Sequence, residues 1–118
     1  MGVRWCVLFQ QEFDREFESL DTAVQDEMLA YALLLEQFGP QLGRPFVDTL
    51  NGSSYSNMKE LRFRVRGQIW RVAFAFDPRR RAVLLVAGDK AGADQRRFYQ
   101  KLIKQADGRW RQWLAEEV

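Results

Sequence analysis

The chain contains no histidine and a single cysteine, Cys6. Histidine is the commonest general base and the commonest metal ligand, so any catalysis here has to use Lys, Arg, Tyr, Asp or Glu. A lone thiol without imidazole leaves a zinc site short of donors. It also excludes a disulfide framework and points to a reducing, cytoplasmic setting. Long apolar runs are missing, since none approaches the roughly 20 residues of a membrane span. The start Met1-Gly2-Val3-Arg4-Trp5 lacks the layout of a signal peptide. The expectation is a soluble, cytoplasmic protein that needs no cofactor or metal and makes no membrane contact.

What is present is enough for a core. The 118 residues fit one domain spanning 1–118, and 47% hydrophobic with 14% aromatic residues argue against disorder. The net charge of +2 hides an asymmetry. Residues 1–58 hold 3 Lys+Arg against 9 Asp+Glu, and residues 59–118 hold 15 against 7. A half this basic has the footprint of something that meets phosphates, although a solvated arginine-rich surface has the same composition.

Periodicity orders the elements. Trp5 to Phe9 is a short apolar run that suits one buried strand. Phe13, Phe17 and Leu20 then recur at helical spacing. A longer helix is predicted from an Asp21 N-cap to Phe38, with Val24, Met28, Tyr31, Leu35 and Phe38 on its apolar face and Gly39-Pro40 as its stop. Residues 39–57 are rich in turn-formers and read as a long loop or crossover. From Met58 the period falls to two. Leu61, Phe63 and Val65 alternate with Glu60, Arg62, Arg64 and Arg66, and Gly67-Gln68 is read as a two-residue hairpin turn. Ile69–Phe76 forms the returning strand, and Ala82–Gly88 reads as a central one. Asp94 starts a last helix that runs to about Trp113, with Gly108 as a kink or end. The order is β-α-α-β-β-β-α: an antiparallel meander beside an N-terminal strand, with helices on one face, an α+β fold of two layers.

The hairpin carries the candidate chemistry. With Gly67-Gln68 as the turn, Arg66 is placed opposite Ile69, Arg64 opposite Arg71, Arg62 opposite Ala73 and Glu60 opposite Ala75. Four arginines and a glutamate then share one face. Clustered like charges cost stability. One explanation is an exposed edge kept soluble, and the other is a face that grips phosphate through arginine forks. Glu60 is either a base or an ion-pair partner. Gly88-Asp89-Lys90-Ala91-Gly92 offers backbone and ammonium to an anion, without P-loop spacing. Arg97, Lys101 and Lys104 share one helix face, for which solvation is the plainer reading. Trp70 and Trp110 fall on core faces, whereas Tyr99 suits either core packing or base stacking.

Met58-Lys59-Glu60-Leu61-Arg62-Phe63 followed by Gly67-Gln68-Ile69-Trp70-Arg71-Val72-Ala73-Phe74 resembles the hairpin of RelE/HigB-like toxins of type II toxin–antitoxin modules. Leu84-Leu85-Val86-Ala87-Gly88-Asp89-Lys90 and Arg97-Phe98-Tyr99 resemble the phage-related HigB branch. The resemblance implies a RelE-like fold and a metal-independent, ribosome-dependent endoribonuclease that cuts mRNA through the 2′-hydroxyl. It maps catalytic roles onto Arg62, Arg71, Lys90, Glu60 and Tyr99 and carries over Arg97; Arg64, Arg66 and Lys101 join Arg97 as candidate RNA or phosphate contacts on the charge pattern of the hairpin and last helix. It implies a helix-turn-helix antitoxin as partner, besides the ribosome and mRNA. Two departures stand out. Lys90 is followed by Ala91 where many relatives carry a second lysine, and Arg109-Trp110-Arg111-Gln112-Trp113 fills the region where some place a histidine or tyrosine. A ParE-like gyrase inhibitor and a phage-derived binding module are the alternatives on the same fold.

Overall fold

Alternation along a single strand decides the architecture. On β4 (Gln68–Asp77), Val72 and Phe74 join one apolar cluster, while Ala73 and Ala75 join another on the opposite face. Both faces of the sheet are therefore covered. In the computed structural model, which describes residues 4–117, the order is β1 (Cys6–Phe9), α1 (Gln11–Glu18), α2 (Thr22–Phe38), β2 (Val47–Thr49), β3 (Met58–Val65), β4, β5 (Arg81–Asp89) and α3 (Gln95–Glu116). The strands form one sheet in the order β1-β5-β4-β3-β2, with β1 parallel to β5 and the other pairs antiparallel. Among the described residues no helix is long and apolar enough to cross a membrane.

The expected α+β class and the meander are found, with three differences in detail. The helices do not share one face. Phe13, Val24, Met28 and Leu35 of α1 and α2 pack on the Leu61–Val72–Phe74 side, whereas Leu102, Ala106 and Trp110 of α3 pack on the Ala73–Ala75–Val83 side. The small side chains of Ala73 and Ala75, fully buried, give α3 a surface on which to lie. Secondly, the 39–57 segment is not all loop. After a 3₁₀ turn at Gly39–Gln41, Val47–Thr49 adds an edge strand to β3, too short to show a period in the sequence.

The third difference is the hairpin register. The turn is Arg66-Gly67, with Val65 opposite Gln68, Arg64 opposite Ile69, Arg62 opposite Arg71 and Glu60 opposite Ala73. Both turn residues have positive φ, 51° at Arg66 and 80° at Gly67. A two-residue turn of that hand matches the twist of the strands it joins, and this outweighs the cost of placing an arginine there. The slip moves each pair by two positions in total, so the paired side chains keep the faces they were assigned, while Arg66 leaves the arginine face for the turn.

Two local features fix the layers. Gly39 ends α2 at φ +54°, and a Cβ there would fall 2.3 Å from Nε1 of Trp5, so this position has to be glycine. The β4–β5 ladder slips between Ala73 and Phe74, leaving Leu85 outside the register. Leu85 and Val86 consequently both face α3, as a bulge permits. The Leu85 carbonyl accepts a hydrogen bond of 2.7 Å from Nη1 of Arg109, and the same guanidinium donates to both carboxylate oxygens of Glu16 on α1 at 2.8 and 2.6 Å. Arg109 is 7% exposed, and Glu12 adds a further carboxylate at 3.6 Å. Gly108 lies within α3 and does not end it.

Arg109→Ala is expected to cost about 2–3 kcal/mol in denaturant unfolding, because it strands a buried carbonyl, breaks a bidentate pair with the half-exposed Glu16 and empties the space of a buried side chain. Glu16→Gln should cost less, and the double variant less than the sum of the two.

Candidate functional site

The α3 helix covers Ala73, Ala75 and Val83 but leaves the hairpin end of the same sheet face open. There Arg62 sits across from Arg71. Glu60, one pair further in, is 3% exposed. A buried carboxylate needs donors, and Glu60 Oε1 has them: Nε of Arg62 donates at 2.9 Å and the Tyr99 hydroxyl at 2.9 Å, while Nε of Arg71 lies 3.9 Å away. Tyr99 thus joins α3 to the central hairpin.

Arg71 is held by packing more than by ion pairing. Its guanidinium carbon lies 5.5 Å from the ring centroids of both Phe98 and Tyr99, which meet edge to face. Its side chain is only 13% exposed, against 43% for Arg62. Nη1 of Arg71 donates weakly to the Ile69 carbonyl at 3.4 Å, and its buried Nε has no hydrogen-bond partner. Such a cation is oriented but undersupplied with acceptors. Arg71 and Lys90 line one cleft of about 530 Å³, together with Gly67-Gln68-Ile69 and Ala91-Gly92-Ala93. Glu60, Arg62, Gln95 and Tyr99 line a second hollow of about 270 Å³ against Asp48–Asn51. Lys90 donates to the Gln95 side chain at 3.2 Å.

The electrostatics follow from this contact set. The hydrogen bond to Glu60 raises Arg62 further above its ordinary range, so it stays a cation. Burial, then the hydrogen bond to Glu60 and its charge, push the Tyr99 phenol up. Tyr99 is therefore a protonated donor near neutral pH.

The structure brings Glu60, Arg62, Arg71 and Tyr99 into one cluster and sets Lys90 on the cleft that Arg71 lines. Arg64 continues the same strand face and is exposed. Arg66 does not join them. It occupies the turn and pairs with Asp21, before α2, at 3.1 Å. Arg97 and Lys101 are exposed on α3 and line a separate hollow with Ala87-Gly88-Asp89. Sequence reasoning missed Phe98 as the ring beside Arg71. Its signal was Gly88, opposite Arg71 on β5, where a Cβ would come within 3.2 Å of Phe98. A glycine inside an apolar strand often marks such a close approach.

A family model described as phage-derived protein Gp49-like (DUF891) matches residues 15–111. A Mycobacterium tuberculosis protein named as a candidate toxin, HigB3, is 44% identical over 112 residues, covering 95% of this chain and 96% of that protein. A second candidate toxin of that organism, HigB2, is also 44% identical, over 82% of this chain and 48% of its own length, so the chain spans about half of it. Among solved structures, an Escherichia coli RelE toxin variant with two arginines replaced by alanine, in the free state, superposes with a TM-score of 0.62 over 90% of this chain and 97% of that one. Identity there is 11%, so this likeness is one of fold.

The Tyr99–Glu60 bond has a spectroscopic consequence. In the ultraviolet pH-difference spectrum of wild type minus Tyr99→Phe, phenolate should appear at higher pH than for free tyrosine. Glu60→Gln removes the negative charge and should shift that transition back towards the ordinary range.

Proposed function

The chain belongs to the phage-derived Gp49-like family, a HigB-type branch of the RelE superfamily, and on that premise we propose that it is a toxin of a type II toxin–antitoxin module that cuts mRNA on the ribosome. The observation that carries this reading is Arg71, stacked against Phe98 and Tyr99 with a buried, unpartnered Nε, lining one cleft with Lys90. A cation locked in place before its anion arrives costs little reorganisation when charge develops on a phosphate, and such electrostatic help is often the largest catalytic contribution.

In the proposed reaction the RNA 2′-oxygen attacks the adjacent phosphorus and the bond to the 5′-oxygen breaks. The 2′-hydroxyl loses its proton and the departing 5′-oxygen gains one, leaving a cyclic phosphate and a 5′-hydroxyl. Arg71 and Lys90 stabilise the added negative charge, and Arg62 binds a neighbouring phosphate. Glu60 is a positioning residue: buried, with Oε1 already accepting from Arg62 and Tyr99, it fixes those two side chains rather than touching RNA. Arg64 extends the backbone grip along β3. Arg97 and Lys101, on their separate hollow, contact RNA or ribosome away from the scissile bond, and Arg66 contributes only at the hairpin tip. The activity belongs to the cytoplasm, and a helix-turn-helix antitoxin restrains it.

Controlled expression with mapping of mRNA 5′ ends tests this. Wild type should yield cuts within translated frames, and Arg71→Ala should lower their yield about 100-fold or more. Growth arrest without cuts would sink the RNase reading in favour of a gyrase-type target. Unaffected growth would leave a binding module.

A further inference from the structure

The face opposite the arginine site carries a different kind of surface. On α2, Leu29 is 46% and Leu33 62% exposed, one helical turn apart. With Val7 and Phe9 of the edge strand β1 they line a groove of about 450 Å³ between helix and strand. Asp26 and Glu36 also line it, ten positions apart on α2, or about 15 Å along the helix axis. The α2 helix has no Lys or Arg. Among the described residues, the exposed Arg4 supplies a counter-charge 4.0 Å from Glu36.

An apolar floor with an acid towards each end selects its occupant by charge. A second copy of the chain would set Asp26 and Glu36 against the same two acids, in either orientation of the helices. We propose that this groove binds an amphipathic helix of a partner protein, one whose apolar stripe carries Lys or Arg at both ends. Leu29 and Leu33, at i and i+4, offer the spacing that a helix-in-groove contact uses. The inference is independent of RNA cleavage: α2 packs on the other face of the sheet from Arg71, and a helix seated there leaves Arg71 and Lys90 uncovered.

The probe is a fluorescent, side-chain-stapled helical peptide of about four turns with a leucine stripe flanked by lysines, titrated by anisotropy into the purified full chain. A second peptide has glutamates in place of the lysines. Saturable binding of the lysine peptide is expected, weakened by salt and lowered about tenfold by Leu33→Ser. The combined Asp26→Lys and Glu36→Lys variant should reverse the preference towards the glutamate peptide. These side chains lie on the surface of α2, and thermal melts check that each variant is folded. Equal binding of both peptides, indifference to Leu33→Ser or absence of saturable binding would overturn the proposal. A dimer in sedimentation that Leu33→Ser dissociates would also overturn it, naming a second copy as the occupant. RNA cleavage by Leu33→Ser should match wild type, so this test and that of the RNase reading fail separately.

Discussion

The guanidinium of Arg109 ties together layers that the sheet separates. It lies on α3, yet it reaches Glu16 on α1 and the Leu85 carbonyl that the β5 bulge leaves outside the ladder. Since α1 and α3 pack on opposite faces, this contact passes the β5 side of the sheet where β1 has ended, its last pair being Phe9 with Leu84. A helix resting on alanines alone has little to fix its rotation. The Arg109 clasp past the middle of the helix and the Tyr99–Glu60 hydrogen bond near its start do so. At mid-helix, buried Asp107 accepts from Ser53 and from the Ser54 backbone, holding the loop before β3 against α3. The position of Tyr99, and with it the packing around Arg71, thus depends on contacts made two and three turns further along the helix.

The clustered arginines become intelligible at atomic scale. Like charges across a strand pair repel, and Arg62 and Arg71 face each other directly. Glu60 offsets this from beneath, sharing one oxygen with Arg62 and Tyr99 and lying within ion-pair distance of Arg71. The aromatic rings of Phe98 and Tyr99 offer π-faces to Arg71, an attraction that survives in a dry setting. None of these contacts saturates the guanidinium. The buried Nε of Arg71 has no hydrogen-bond partner, and the residue lines the cleft that Lys90 also lines.

How much of this was legible in the sequence depends on the kind of signal. Period-two alternation places the paired side chains of β3 and β4 on their observed faces, Arg66 in the turn being the exception, and the helices lie within a few residues of their expected ends. The hairpin turn was misplaced by one residue because Gly67 drew attention to the pair it begins, whereas the fold accepts Arg66 at positive φ and uses Gly67 second. The second helix layer was missed because Ala73 and Ala75 read as small residues beneath arginines rather than as a packing surface. The Glu60–Arg62–Arg71–Tyr99 cluster was named residue by residue, but Phe98 was not, since a stacking ring looks like any core aromatic. In the sequence Arg109 stands out only as part of the Arg109–Trp113 stretch that fills the region where some relatives place a histidine or tyrosine. Its role needs Glu16 and a bulged carbonyl, both far away in sequence and invisible to local pattern.

The charge asymmetry between the two halves of the chain has a structural meaning beyond phosphate. The acidic half forms the α1–α2 layer and the basic half supplies the hairpin and α3, so opposite charges meet where the layers touch. Arg109 with Glu16 and Glu12, and Arg66 with Asp21, are such meetings, each joining residues from opposite halves. These pairs take up acids of α1 and of the turn before α2, and leave Asp26 and Glu36 on the outer side of α2 out of them. What remains is sorted by face: Arg62, Arg64, Arg71 and Lys90 on one, and Asp26 and Glu36 around exposed leucines on the other. A molecule with two unlike surfaces on opposite sides of one sheet can engage a polyanion and a basic helix without forcing them to compete for the same atoms.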